Sequence, residues 1–129
     1  MHVSSTVRGR HAEIMAGAFL SLSGYRIRER NFRDSRLEID IIAQKANILA
    51  VVEVKFRTAR KFGCAIGAVG LQKQRDLETA AVGYLNLKRI RGVSIRFDVV
   101  VIEALPGNPS GVLIRHIPGA FSASGRYRI

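Results

Sequence analysis

The amino-acid sequence predicts an α/β (α+β) domain, a mixed central sheet flanked by helices, with elements in the order α-β-β-β-α-β-(β). Three observations carry that prediction. Segments 11–22 and 71–87 repeat apolar residues at helical spacing, whereas the segments between and after them alternate or run continuously apolar, as strands do. Two of those strands, 37–43 and 48–56, lie about four residues apart, which reads as an antiparallel hairpin. The second of them is almost wholly apolar, as a strand covered on both faces would be.

Each element has a local reason. The first helix carries a stripe of Ala12, Met15, Ala16, Phe19 and Leu22, and Ser23-Gly24 ends it, glycine being the usual residue past a helix terminus. Segment 25–32 reads as a polar edge strand in which Tyr25, Ile27 and Glu29 alternate with Arg26, Arg28 and Arg30. Segment 37–43 sets Leu37, Ile39, Ile41 and Ala43 on one face, and Gln44-Lys45-Ala46-Asn47 reads as the turn into 48–56. A Gly- and Arg-containing connection over 57–70 leads to the second helix. Its stripe is Leu77, Ala80, Ala81, Tyr84 and Leu85, with Lys73 one turn earlier on the same side. Segment 95–103, with three consecutive valines, is a further strand. Pro106-Gly107-Asn108-Pro109 is a turn signal, and 112–117 reads as a last, short strand. Residues 1–121 are read as one domain and 122–129 as a basic tail, expected to be poorly ordered.

Composition narrows the function. The chain has 129 residues, 47% apolar and 24% charged, which suits one globular domain and excludes a disordered chain, a collagen-like repeat and a coiled coil. No apolar run approaches the roughly 20 residues of a membrane span, so no membrane partner is expected. No secretion signal is read at the N-terminus, and Cys64 is the sole cysteine, so a reducing, cytoplasmic setting is the expectation. Lys plus Arg is 21 against 10 Asp plus Glu, a formal charge of +11. Arginines dominate the cations, and the guanidinium fork matches phosphate oxygens, so the charge points to a nucleic-acid partner. The bland reading of the same charge is a solvated surface that maintains solubility.

The unusual feature is acid inside the apolar hairpin. Its strands read Leu37-Glu38-Ile39-Asp40-Ile41-Ile42 and Val51-Val52-Glu53-Val54-Lys55-Phe56. Side chains alternate along a strand, so Glu53 and Lys55 share a face. If Ala43 pairs with Ile48, Asp40 opposes Val51, Glu53 opposes Glu38, and Asp40 and Glu53 are diagonal neighbours. A two-residue register change sets Asp40 and Glu53 directly opposite, and a one-residue slip separates them. Neighbouring carboxylates on a partly buried surface repel, and a hard divalent cation such as Mg²⁺ (or Mn²⁺) offsets that through oxygen ligands. A lysine two residues from an acid reaches the same spot, where it can hold a water or stabilise charge developing on a phosphate. The competing reading makes Glu53 and Lys55 a same-face ion pair and Asp40 a cap or an arginine partner.

Asp40 followed by Glu53-x-Lys55 on the next strand resembles the PD-(D/E)xK signature of nucleases with the restriction-endonuclease-like fold. The sequence resembles most closely the YraN family of endonuclease-like proteins. The matching residues are Ala12-Glu13, Ala16, Gly24-Tyr25, Arg30-Asn31-Phe32-Arg33, Glu38-Ile39-Asp40-Ile41-Ile42-Ala43 and Val52-Glu53-Val54-Lys55-Phe56-Arg57. The match continues through Phe62-Gly63, Ala68-Val69, Lys73-Gln74, Tyr84-Leu85, Arg96-Phe97-Asp98-Val99-Val100 and 116–121. Ala12 and Leu37 stand where the family usually has glycine. The resemblance implies a restriction-endonuclease-like fold and a Mg²⁺-dependent endonuclease cutting nucleic acid, with DNA the expected substrate. Asp40 and Glu53 would be metal ligands and Lys55 the catalytic lysine. Glu13 would be a further acid at the metal. The alternative from another class is a non-catalytic nucleic-acid-binding module on the same fold. Nucleases of this fold often pair into homodimers, and the sequence leaves oligomeric state open.

The remaining candidates have two readings each. Glu13 lies at the margin of the helical stripe, facing the sheet or solvent. Glu38 is an outer acid or a partner for Arg36 or Arg57. Lys73 reaches the site or a phosphate, or snorkels from the buried side. Arg30, Arg33 and Arg57 lie in basic groups on either side of the hairpin and are read, with Lys73, as phosphate contacts. Asp98 reads as a buried pairing residue, His116 lacks a metal-spaced partner, and Cys64 reads as a small apolar filler. Tyr25 and Phe32 could stack bases, but core packing is the more usual role.

Overall fold

In a computed structural model the protein is described over residues 5–58 and 68–124. Helix α1 spans Ser5–Leu22 and is followed by three strands: β1 at Arg26–Asp34, β2 at Leu37–Lys45 and β3 at Ile48–Arg57. Helix α2, Leu71–Lys88, then precedes β4, Ser94–Leu105, and β5, Asn108–Phe121. The strands lie side by side in the order β1-β2-β3-β4-β5. Only β3 and β4 are parallel, joined through α2 as parallel strands must be by a crossover. The predicted mixed sheet flanked by helices is therefore present, in the predicted element order. No helix among the described residues is long and apolar enough to cross a membrane.

Each sheet face buries its own apolar layer. Leu77, Ala80, Ala81 and Tyr84 of α2 pack on Phe32, Ile39, Ile42, Leu49, Val51 and Phe97. Ala12, Ala16 and Leu20 of α1 pack on Ile41, Ala43, Ala50, Val52, Val100 and Ile102. Central β3 thus feeds both cores, which is why its sequence lacks polar alternation. The α2 stripe is the one read from the sequence. In α1 the stripe is rotated: Leu20 is fully buried while Leu22 is 90% exposed. At about 100° per residue, Ala12, Ala16 and Leu20 fall within about 80° of one another, with Leu22 beyond the far edge. The same rotation turns Glu13 and Gly17 towards the sheet.

Two strand features differ from the sequence reading. The β2–β3 turn is tighter than four residues: Lys45 pairs with Ile48 and Ala43 with Ala50. Ala46 takes the left-handed conformation at φ 52° to close it. This is the register two residues away from Ala43 with Ile48. The last strand is long, 14 residues. It tolerates Pro109 and Pro118 because it is an edge strand, where a missing N–H costs no ladder bond.

β5 is fastened to the sheet by Asp98, fully buried and ringed by donors. Arg96 donates through Nε (2.8 Å) and Nη2 (2.7 Å), and Gly119 N–H donates at 3.0 Å. His116 Nε2 lies 2.8 Å away. Hydrogen bonds from His116 and Arg96 outweigh burial and hold the Asp98 carboxyl below the usual carboxylate range. Asp98 is thus a pairing residue. Phe32 and Tyr25 also serve structure: Phe32 meets Tyr84 edge-to-face, and the Tyr25 hydroxyl accepts from Arg96 while its ring edges His116.

Candidate metal centre

The sheet opens at one place. The β2–β3 ladder stops at Ile41 and Val52, while β3 runs on beside β4 as far as Arg57 and Glu103. Asp40 stands at the fork. Its Oδ2 accepts from Val54 N–H at 2.8 Å, a side chain replacing the ladder carbonyl that β3 has lost there. The alternation of β2 also breaks at Asp40. Ile39 packs towards α2 but Ile41 towards α1, although residues two apart normally share a face. β1 breaks at the same level. Asn31 is left-handed at φ 51°, and its neighbours Arg30 and Phe32 pair with Ile41 and Ile39. Asparagine is among the few non-glycine residues that take this conformation readily.

The fork gathers acids from three elements and an amide from a fourth. Carboxylate oxygens of Glu13 (α1), Glu38 and Asp40 (both β2) lie within 4.8 Å of one another. Asn31 on β1 joins them. With its amide oriented by the hydrogen-bond network, its nitrogen donates to Glu13 Oε2 (3.1 Å) and Glu38 Oε1 (3.0 Å). From β3, Glu53 stands against Asp40 and is only 14% exposed. Burial first, then the Asp40 bond and charge, push the Glu53 carboxyl up to about 7. Burial and the charges of Asp40 and Glu38 likewise raise Glu13. A pocket that makes its own carboxylates hard to ionise is electrostatically short of positive charge.

Among the described residues, Lys73 and Arg33 pair with these acids. Lys73, in the first turn of α2, places Nζ 3.4 Å from Glu53 Oε2. That is ion-pair distance, longer than a charge-assisted hydrogen bond, and Oε2 is buried without a hydrogen-bond partner. Arg33 stands 3.4 Å from Glu38 at the exposed rim, so Glu38 pairs with Arg33 rather than Arg36 or Arg57. Lys55 shares the α2 face of β3 with Glu53, and its Nζ donates to the carbonyl of Ala68, just before α2. Arg57 ends β3. Arg30 lies across α1, its guanidinium occupying the space that a Cβ at Gly17 would fill.

The structure therefore brings Glu13, Glu38 and Asp40 together with Asn31, sets Glu53 against Asp40, and brings Lys73 in from α2. Asn31 was given no site role in the sequence, although an asparagine between Arg30 and Phe32 in a predicted strand was a signal for left-handed backbone. Cys64 lies outside the described residues.

Comparison with other proteins gives the lineage. A family model described as uncharacterised protein family UPF0102 matches residues 12–102, which include all four acids and Lys73. A UPF0102 protein of Chloroherpeton thalassium is 47% identical over 94 residues, 73% of each chain. One from Syntrophus aciditrophicus is 41% identical over 119 residues, 92% of this chain and 91% of the other. One from Symbiobacterium thermophilum is 43% identical over 115 residues, 89% and 96% of the two chains. The chain belongs to the UPF0102 (YraN) family.

Proposed function

We propose that the chain is a divalent-metal-dependent endonuclease that hydrolyses phosphodiester bonds of nucleic acid, with DNA the expected substrate. The observation that carries this reading is the clustering of Glu13, Glu38 and Asp40 at the fork, with Glu53 set against Asp40 and one Glu53 oxygen buried without a hydrogen-bond partner. The donor set fits Mg²⁺ or Mn²⁺: the carboxylates are hard oxygen ligands, and an added dication answers the repulsion that raises Glu53 and Glu13. When bound, such an ion polarises a phosphoryl oxygen and lowers the pKa of a coordinated water.

The chain's own groups do the rest. Val54 N–H holds one carboxylate oxygen of Asp40 and so fixes the side chain at the fork. Asn31 fixes Glu13 and Glu38 against each other. Lys55, on the face of Glu53, supplies an ammonium for charge developing on the phosphate and exchanges the Ala68 carbonyl for substrate to do so. Arg30, Arg33, Arg57 and Lys73 supply phosphate contacts, which give affinity without base choice. The engagement of Lys55 by Ala68 also favours a second reading, a non-catalytic nucleic-acid-binding module on this fold.

Incubating the protein with branched, flapped, duplex and single-stranded substrates plus Mg²⁺ or Mn²⁺ separates the two. Cleavage abolished in both Asp40→Ala and Glu53→Ala supports the nuclease. Cleavage that persists in either variant removes it, and metal-independent binding without cleavage favours the second reading.

A further inference from the structure

Lys73 is held in an unusual way. Its ammonium comes from the first turn of α2, is nearly half exposed, and meets a Glu53 oxygen that makes no hydrogen bond. It is the described cation closest to the buried acid of a pocket crowded with carboxylates. A dication using Glu53 as a ligand and an ammonium resting on the same oxygen compete for one lone-pair region. We propose that Lys73 is an exchangeable counter-ion: it occupies Glu53 in the metal-free protein, yields that oxygen when a divalent cation binds, and turns its ammonium to a backbone phosphate of the bound nucleic acid. This rests on the metal-centre reading above and adds to it a coupling between cation and nucleic acid.

The geometry suits an exchange. The contact is long for a charged pair, so little is lost when it opens. The aliphatic stem of lysine lets Nζ swing into solvent without moving α2. Lys73 also sits at the positive end of the helix dipole, where a phosphate is stabilised and a free ammonium is not. A cation that relieves Glu53 of its lysine thereby creates a phosphate contact. By linkage, nucleic acid that takes up Lys73 must tighten cation binding by the same factor.

The test measures cation affinity directly. Mn²⁺ is titrated into the protein without nucleic acid, and Ca²⁺, which shares the oxygen preference, is titrated with and without a short DNA duplex. Lys73→Met is expected to bind Mn²⁺ about fivefold more tightly than the wild type, the worth of one partly exposed ion pair. The gain persists at raised salt, where long-range effects of the deleted charge are screened. In the wild type, duplex tightens Ca²⁺ binding; in Lys73→Met and Lys73→Gln that coupling shrinks towards one. With cation present, the salt slope of duplex binding falls by about one in both variants, and without cation it is unchanged. Unchanged or weaker Mn²⁺ affinity in both variants, beside a wild type that binds Mn²⁺, overturns the exchange and leaves the metal centre standing. A wild type that binds neither cation overturns both.

Discussion

Replacing Asp40 by Asn is expected to stabilise the metal-free protein at pH 8 relative to pH 5. Glu53 is held at about 7 against an ordinary 4.5. A carboxyl raised in the folded state opposes folding once both states ionise. The cost begins above the unfolded value, grows through the folded one, and is then complete, at about 3 kcal/mol here. Burial is its largest cause and survives the substitution; the bond and charge of Asp40 come next and do not. Removing them should recover about 1 kcal/mol at pH 8. At pH 5 Glu53 is mostly protonated and there is almost nothing to recover. Asn retains an acceptor for Val54 N–H, so the weakening of that bond, about 0.5–1 kcal/mol, is the same at both pH values and cancels in the comparison. Urea unfolding in the presence of EDTA, with the midpoint and slope measured for both proteins at both pH values, gives the difference directly. An Asp40→Asn effect that is equal at the two pH values, or more destabilising at pH 8, refutes the claim that these carboxylates repel.

Two further perturbations test the frame around the centre. Asp98→Asn keeps the shape but sets an amide N–H₂ among the donors of Arg96, His116 and Gly119, and should cost about 3–5 kcal/mol in chemical denaturation. Because the Asp98 carboxyl is held low in the folded state, its contribution is complete above the unfolded value and disappears as pH falls through the folded one. The wild type should lose this increment on acidification and Asp98→Asn should not. Gly17→Ala should raise stability by up to about 1 kcal/mol, because the helix gains and the tip of exposed Arg30 can step aside. It should weaken duplex binding as Arg30 is displaced, and a drop in melting temperature would show that the guanidinium cannot move.

What the sequence determined by itself was whatever depends on short-range period. The α2 stripe at Leu77, Ala80, Ala81 and Tyr84, the doubly covered β3 and the antiparallel hairpin follow from spacing alone, and so does the shared face of Glu53 and Lys55. Asp40 and Glu53 were legible as neighbours because either of two registers of one hairpin puts them together. Tertiary structure decided what spacing leaves degenerate. Leu20 and Leu22 are equally apolar, and only the docking of α1 on β3 chose Leu20 for the core. The register followed from a two-residue turn that needed left-handed backbone at Ala46, a conformation alanine has no intrinsic tendency to adopt. The break of alternation at Asn31 and Asp40 was hidden because a regular strand never puts positions 39 and 41 on opposite faces. That break lets one pocket draw Glu13 from the α1 layer and Lys73 from the α2 layer. A sheet normally keeps its two faces apart, and residues 60 positions distant along the chain meet only where the sheet splits.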